Sequence, residues 1–288
     1  MRTNVTAKIK IIATPEIIRT FKVYGKGLQF CINYAWKLKI KNNIQLHPFV
    51  YKRLRKTLPS QLAIACIKQA CGIVKKAKTK PFINRVSMRY NFPRSASFKD
   101  NVLSLSTIKG RVKIPFSIPS CYQRYFTWGQ PKESLLRIDK KNRCFFLFTF
   151  SKEVNAIKRN IRSQNFVLGV DLGVKRLAVL SDGEHIHGRN IRGVKRRYDF
   201  LRRKLQAKGT HSAIRLLKKV RGREKRFVAW ANHNVSKRIV EGFTGGVIRL
   251  EDLEGIKKQR GRRHNKMLGC WSYYQLQSFI SYKAAIRG

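Results

Sequence analysis

The residues that could do chemistry in this chain are its acids, because only 14 Asp and Glu stand among 64 Lys and Arg. Asp171 falls in the apolar run from Phe166 to Leu180, FVLGVDLGVKRLAVL. The run reads as a strand, a turn at Gly173 and a hairpin partner closed off by Ser181-Asp182-Gly183. An acid buried in such a strand loses solvation unless it is paired or holds a cation. Pairing with Lys175 or Arg176, just past the turn, is one reading, and metal ligation is the other. A second apolar strand, Gly246 to Leu250, delivers Glu251, Asp252 and Glu254 at its C-terminal end. Two acidic strand ends in one α/β domain form a pattern by which carboxylates converge on a divalent ion. Carboxylate oxygens suit Mg²⁺ or Mn²⁺, and such ions activate a water and stabilise the leaving oxygen of a phosphodiester. The competing reading of EDLEG is a helix N-terminus whose acids favour the dipole. That accounts for Asp252 and Glu254 better than for Glu251.

Around these acids the chain is overwhelmingly basic. The formal net charge is +50 over 288 residues, with the bases spread over nearly the whole length. Such self-repulsion calls for a polyanion, either nucleic acid or a membrane surface. Lysine and arginine interrupt every apolar run, which excludes a membrane span. The N-terminal MRTNVTAKIKII alternates like a strand and lacks the layout of a signal peptide. Aromatics make up 11% of residues, too many for a disordered basic tail, so the composition points to a folded nucleic-acid binder. Cysteines stand singly at 31, 66, 71, 121, 144 and 270, without a Cys-x-x-Cys pair. That argues against a disulfide framework and against a zinc site within these residues, and fits a reducing cytoplasm.

The elements that must position the acids can be read in chain order. Val5, Ala7, Ile9 and Ile11 alternate with polar residues in one strand. Thr14-Pro15-Glu16 then starts a helix that runs to about Lys41, with Gly25 and Gly27 marking a break. Pro48–Lys56 and Ser60–Lys78 read as two further helices, so residues 14–80 form a helical insert with a basic surface. Past Pro81, strand-like runs at Val86–Phe92, Phe98–Leu105, Arg111–Phe116, Ser134–Ile138 and Cys144–Phe150 suggest a small barrel or sandwich completed by the first strand. The last two runs form a hairpin closed around Asn142. Residues 151–163 read as a linker. After the Asp171 strand pair, Gly193–Lys208 and His211–Val240 are long basic helices, with Gly222 as a joint. The second is lined by Leu216, Val220, Phe227, Ala231, Asn234 and Val235. Trp271–Ile286 is an amphipathic helix whose Trp271, Tyr274, Phe279 and Tyr282 are placed to pack on the sheet beneath the two acids.

Nucleic-acid contacts have their own candidates. In Arg89-Tyr90 and Arg124-Tyr125 an aromatic sits beside a base, which suits stacking on single-stranded bases or an RNA scaffold. Lys175 follows the Asp171 turn, and Arg202, Arg203, Lys218 and Lys219 lie on the two basic helices, which can run along a phosphate backbone. Core packing for the aromatics and a plain helical hairpin with a charged exterior are the alternatives.

Four stretches together carry a family resemblance: LGVDLGVKRLAVLSDG, RRKLQAKG with RLLKKVRGREKRFVAWANHNVSKRIVE, VIRLEDLEGI, and WSYYQLQSFISYKAAIRG. They resemble the TnpB proteins of insertion sequences, often labelled transposases of the OrfB type. These are transposon-encoded RNA-guided DNA nucleases and relatives of type V CRISPR effectors. The resemblance is dense over residues 163–288 and looser before them. It implies an α/β plus β fold: a wedge-like β-barrel from residues 1–13 and 81–157, an inserted helical recognition lobe from 14–80, and a partial RNase H-like (RuvC) domain from 163–288. It also implies Asp171 and Glu251 as catalytic carboxylates and metal ligands, Mg²⁺ or Mn²⁺ as cofactor, and guide RNA and a DNA target as partners. The family's zinc ribbon and its late Asp have no counterpart up to Gly288, so Zn²⁺ is expected only in a C-terminal segment absent from this chain. The alternative is the same fold holding nucleic acid without cutting it. Strand-Asp-Leu-Gly also opens the phosphate loop of actin-like sugar kinases. Here, however, Val174 replaces the hydroxyl residue usual in those proteins, and no second glycine-rich loop follows.

Overall fold

A computed structural model of the chain describes residues 2–139, 141–153, 166–173, 175–243, 246–253 and 272–287. The chain divides into two compact units, Arg2–Glu153 and the residues from 154 onward.

The first unit contains β1 (Arg2–Ile11), α1 (Pro15–Lys37), α2 (Asn43–Arg55), α3 (Ser60–Lys76), β2 (Met88–Asn91), β3 (Ala96–Lys99), β4 (Val102–Thr107), β5 (Gly110–Pro115), α4 (Ser120–Phe126), β6 (Glu133–Ile138) and β7 (Cys144–Glu153). The first strand pairs antiparallel with β7 along its whole length, from Arg2 opposite Glu153 to Ile11 opposite Cys144. Its sheet has the order β1-β7-β6-β2, and a second has the order β3-β4-β5. Among the described residues no ladder joins the two, so of the barrel and the sandwich read from the sequence the first unit shows two open sheets sharing a core. Period-two alternation turns Phe146, Phe148 and Phe150 inward. There Phe148 meets Phe92, Phe98, Phe116 and Phe126, with ring centroids 5.2–6.1 Å away.

Several local expectations change. Helix α1 runs unbroken through Gly25 and Gly27. Gly25 is there for closeness, since a Cβ on it would lie 2.9 Å from Val86 Cγ2. Helix α2 starts well before Pro48, because the Asn42 side chain accepts a bond from the Ile44 N–H (2.9 Å) and caps the helix. The run Phe98–Leu105 is two strands. The chain reverses at Asp100 and Asn101, both left-handed with φ of 48° and 59°, in the two-residue turn that Asp and Asn tolerate best.

The second unit contains β8 (Val167–Asp171), β9 (Arg176–Leu180), β10 (His185–His187), α5 (Arg189–Lys208), α6 (His211–Gly242), β11 (Val247–Leu250) and α7 (Tyr273–Arg287). Its sheet has the order β10-β9-β8-β11. The pairs among β8, β9 and β10 are antiparallel, whereas β11 runs parallel to β8. A parallel pair needs a long crossover, which α5 and α6 supply. Helix α6 passes straight through Gly222, so no joint forms there. Val235, Ile239 and Val240 of α6, with Leu276 and Ile280 of α7, pack against Leu168, Val170, Leu177, Ala178 and Leu180 of the sheet. The aromatic packing expected of α7 is corrected by this stripe. Tyr274 is 85% exposed, and Phe279 stacks on His233 of α6 at 4.0 Å. Trp271 lies outside the described residues. Leu216, expected to pack, is 46% exposed. No helix among the described residues is long and apolar enough to cross a membrane.

Candidate functional site

Strand β8 alternates strictly. Leu168 and Val170 point into the core, and Val167, Gly169 and Asp171 point to the other side. Asp171 is therefore exposed on the open face of the sheet, which corrects the premise of an acid buried in an apolar strand. In the parallel ladder Arg249 lies opposite Gly169 and Leu250 opposite Val170. One step further brings Glu251 beside Asp171, across strands about 4.8 Å apart. The same alternation puts Arg249 on this open face. Asp171, Glu251 and Arg249 line one open cleft of about 500 Å³, together with Gly169, Val179 and Ser181. Two carboxylates and a guanidinium thus line one cleft, on the side of the sheet opposite the Leu168 and Val170 core.

Local bonds hold the cleft in shape. Ser181 donates its N–H to the Gly169 carbonyl (2.9 Å) and accepts the Gly169 N–H on its Oγ (3.0 Å), clamping β8 to β9. The turn after Asp171 needs Gly173, because a Cβ there would stand 2.7 Å from the Arg176 carbonyl oxygen. On the other strand Gln277 of α7 donates to the Glu251 carbonyl at 2.7 Å, catching the chain as it leaves β11. Helix α7 is itself locked to α6. Asn232, fully buried, donates to Gln275 Oε1 (3.0 Å), and Lys283 donates to the His233 carbonyl (2.6 Å) and to Ser236 Oγ (2.8 Å). Burial, and then the Lys283 charge, push the His233 imidazole below its ordinary pKa.

Among the described residues no ion pair joins Asp171 to Lys175 or Arg176. Lys175 is exposed, and its carbonyl accepts the Gly188 N–H at 3.1 Å. Asp252 is exposed next to Glu251, and Glu254 lies outside the described residues. No cluster of three His, Cys, Asp or Glu that could hold a metal forms among the described residues.

The other sequence candidates are scattered. Tyr90 is fully buried, because β2 turns Met88 and Tyr90 inward, and its hydroxyl donates to the Ser106 carbonyl (3.1 Å). Tyr125 is 7% exposed and sits under the Arg124 guanidinium, which also bonds its hydroxyl at 2.8 Å. These two rings are core and not stacking platforms. Arg89, on the opposite side of β2, lies 3.5 Å from Glu133. Arg202 bonds Glu224 (2.5 Å) and Asp199 (3.0 Å), and Arg203 reaches Asp199 at 3.3 Å. Lys218 and Lys219 are exposed on α6. Sequence reasoning missed Arg249 and Gln277. Arg249 was within reach, since strand parity puts residues 249 and 251 on one side. Gln277 had no signal, because helix docking alone brings it to Glu251.

No family model matches the chain. The CRISPR-associated endodeoxyribonuclease Cas12f1 of Syntrophomonas palmitatica is 32% identical over 166 residues, covering 50% of this chain and 31% of that protein. The chain thus spans less than a third of that relative's length. The Cas12f1 chain in the cryo-EM structure of the Cas12f1-sgRNA-target DNA complex superposes with a TM-score of 0.56 at 14% identity, over 93% of this chain and 70% of that one. The chain has a Cas12f1-like fold. That likeness covers both units of mixed α/β composition with open sheets.

Proposed function

We propose that this chain is a transposon-encoded, RNA-guided DNA nuclease of the TnpB kind. In this reading the second unit is an RNase H-like (RuvC) cutting domain. The first combines a wedge, residues 1–13 and 81–157, with a helical recognition lobe, residues 14–80. The observation that carries the reading is the meeting of Asp171 and Glu251, ends of neighbouring parallel strands, on the open face of the sheet. The Cas12f1-like fold and the +50 charge support it. Guide RNA and target DNA are the partners, with base pairing reading the target and the protein reading backbone shape. The chemistry of the donor set fits a hard divalent cation, since two exposed carboxylates offer oxygen ligands. Asp171 and Glu251 would hold Mg²⁺ or Mn²⁺, which when bound supplies Lewis-acid activation for phosphodiester hydrolysis. Arg249, facing the same cleft, would bind and orient the phosphate.

The test is cleavage of a guide-matched DNA by the guide-loaded, full-length protein. Asp171→Ala and Glu251→Ala should each abolish cleavage and leave guide and target binding nearly intact. Asp252→Ala should be much milder. Loss with Asp252→Ala and sparing with Glu251→Ala would overturn the assignment.

A further inference from the structure

Away from its buried stripe, α6 carries an aromatic pair that the core leaves uncovered. Trp230 is 60% exposed, and its ring lies 6.0 Å from that of Phe227, tilted by 32°. An indole left in solvent forfeits the burial that normally stabilises this side chain, so its position calls for a partner. Lys219, Arg223, Arg226 and Trp230 follow one another at steps of four, three and four residues, which places them along one helix face. Neighbours at such steps stand about 5–6 Å apart. Among the described residues none of the three bases is ion-paired, although acids elsewhere on α5 and α6 are taken by Lys195, Arg202, Arg203 and Lys237.

We propose that this face of α6 is a docking strip for a single-stranded stretch of nucleic acid. Lys219, Arg223 and Arg226 take successive phosphates, and Trp230, backed by Phe227, stacks on an unpaired base. The occupant follows from charge and from the ring together. Three unpaired cations in a row on a +50 chain select a polyanion. A duplex keeps its bases stacked on one another, whereas a single strand presents a free π face to the indole. DNA and RNA share this chemistry. The proposal rests on the nucleic-acid reading above and adds the strand state and the residues that recognise it.

The experiment measures affinity by fluorescence anisotropy for one short sequence as single-stranded DNA, as single-stranded RNA and as duplex DNA. Trp230→Ala should weaken single-strand binding roughly tenfold and leave duplex binding unchanged, whereas Trp230→Phe should retain most of the affinity. Arg223→Ala with Arg226→Ala should weaken all three. It should also lower the slope of log affinity against log salt by about 1.4 for the single strands. A Trp230→Ala loss confined to RNA identifies a guide segment as the occupant, and one confined to DNA identifies a target-derived strand. Because Trp230 is exposed, its variants should keep the parent's circular dichroism and thermal midpoint. Unchanged single-strand affinity in Trp230→Ala, with the parent binding normally, overturns the strip, as does an equal loss on duplex. A parent that binds none of the three refutes the nucleic-acid reading itself, so the two failures are distinguishable.

Discussion

Glu224→Gln should destabilise the helical hairpin of α5 and α6 by about 2–3 kcal/mol, and the figure follows from the burial of the pair it breaks. Glu224 Oε2 accepts from Arg202 at 2.5 Å, and Lys195 lies 3.9 Å from Oε1. The Glu224 side chain is 11% exposed and that of Arg202 30%. Removing one member of a fully buried pair costs ~3–5 kcal/mol, and a hydrogen bond to a charged group is worth ~1.5–3 kcal/mol. Arg202 would not be stranded, because Asp199 remains 3.0 Å away, so the lower part of the range applies. Burial works against the Arg202 charge, yet Asp199 and Glu224 outweigh it and hold the guanidinium above its ordinary pKa. The assay is amide hydrogen exchange of α5 and α6 peptides, which should speed up about 30- to 150-fold. Glu224→Leu combined with Arg202→Leu should recover most of the protection, since apolar replacement of a buried pair is close to neutral. A change below about threefold, or a double variant as labile as the single, would refute the reasoning. Arg202→Ala that lowers RNA affinity without altering exchange would return Arg202 to the nucleic-acid surface named from sequence.

Three further outcomes are expected. Gln277→Leu should cost about 1 kcal/mol of stability and weaken Mn²⁺ binding measured by titration calorimetry, because the Glu251 carbonyl loses its partner; unchanged Mn²⁺ affinity would rule out a positioning role. His233 has a folded-state pKa below 6.5, so its stabilising contribution is complete above that pH and is lost as pH falls from 6.5 through the depressed value. The thermal midpoint of the second unit should therefore drop between about pH 7.5 and about pH 5.5, and less so in His233→Gln; equal drops would exclude His233 as the cause. Phe148→Ala should destabilise the first unit by ~3–5 kcal/mol in urea unfolding, given the four rings around it, and a loss under about 1.5 kcal/mol would contradict that packing.

Much of the molecule was legible because it depends on local physics. The Thr14 cap, the alternation of β1, the hairpin at Asn142 and the extreme charge each follow from neighbouring residues and backbone preferences. So does the placing of Asp171 and Glu251 at strand ends. Glycines misled where tertiary contact, not flexibility, was the reason for them, as at Gly25 against Val86. The aromatics misled because Tyr90 and Tyr125 look alike in sequence whether a ring is core or surface, and the burial of β2 and α4 decides. Likewise the long helices showed their charge, but only packing revealed that Arg202 faces Glu224 and that Trp230 faces solvent. The site itself is the clearest case. Strands β8 and β11 lie far apart in the chain, and their register is set by Leu168, Val170, Ile248 and Leu250 seated beneath α6 and α7. A slip of one residue would turn Glu251 to the opposite face from Asp171, so a non-local fit of apolar side chains decides whether two acids become one site.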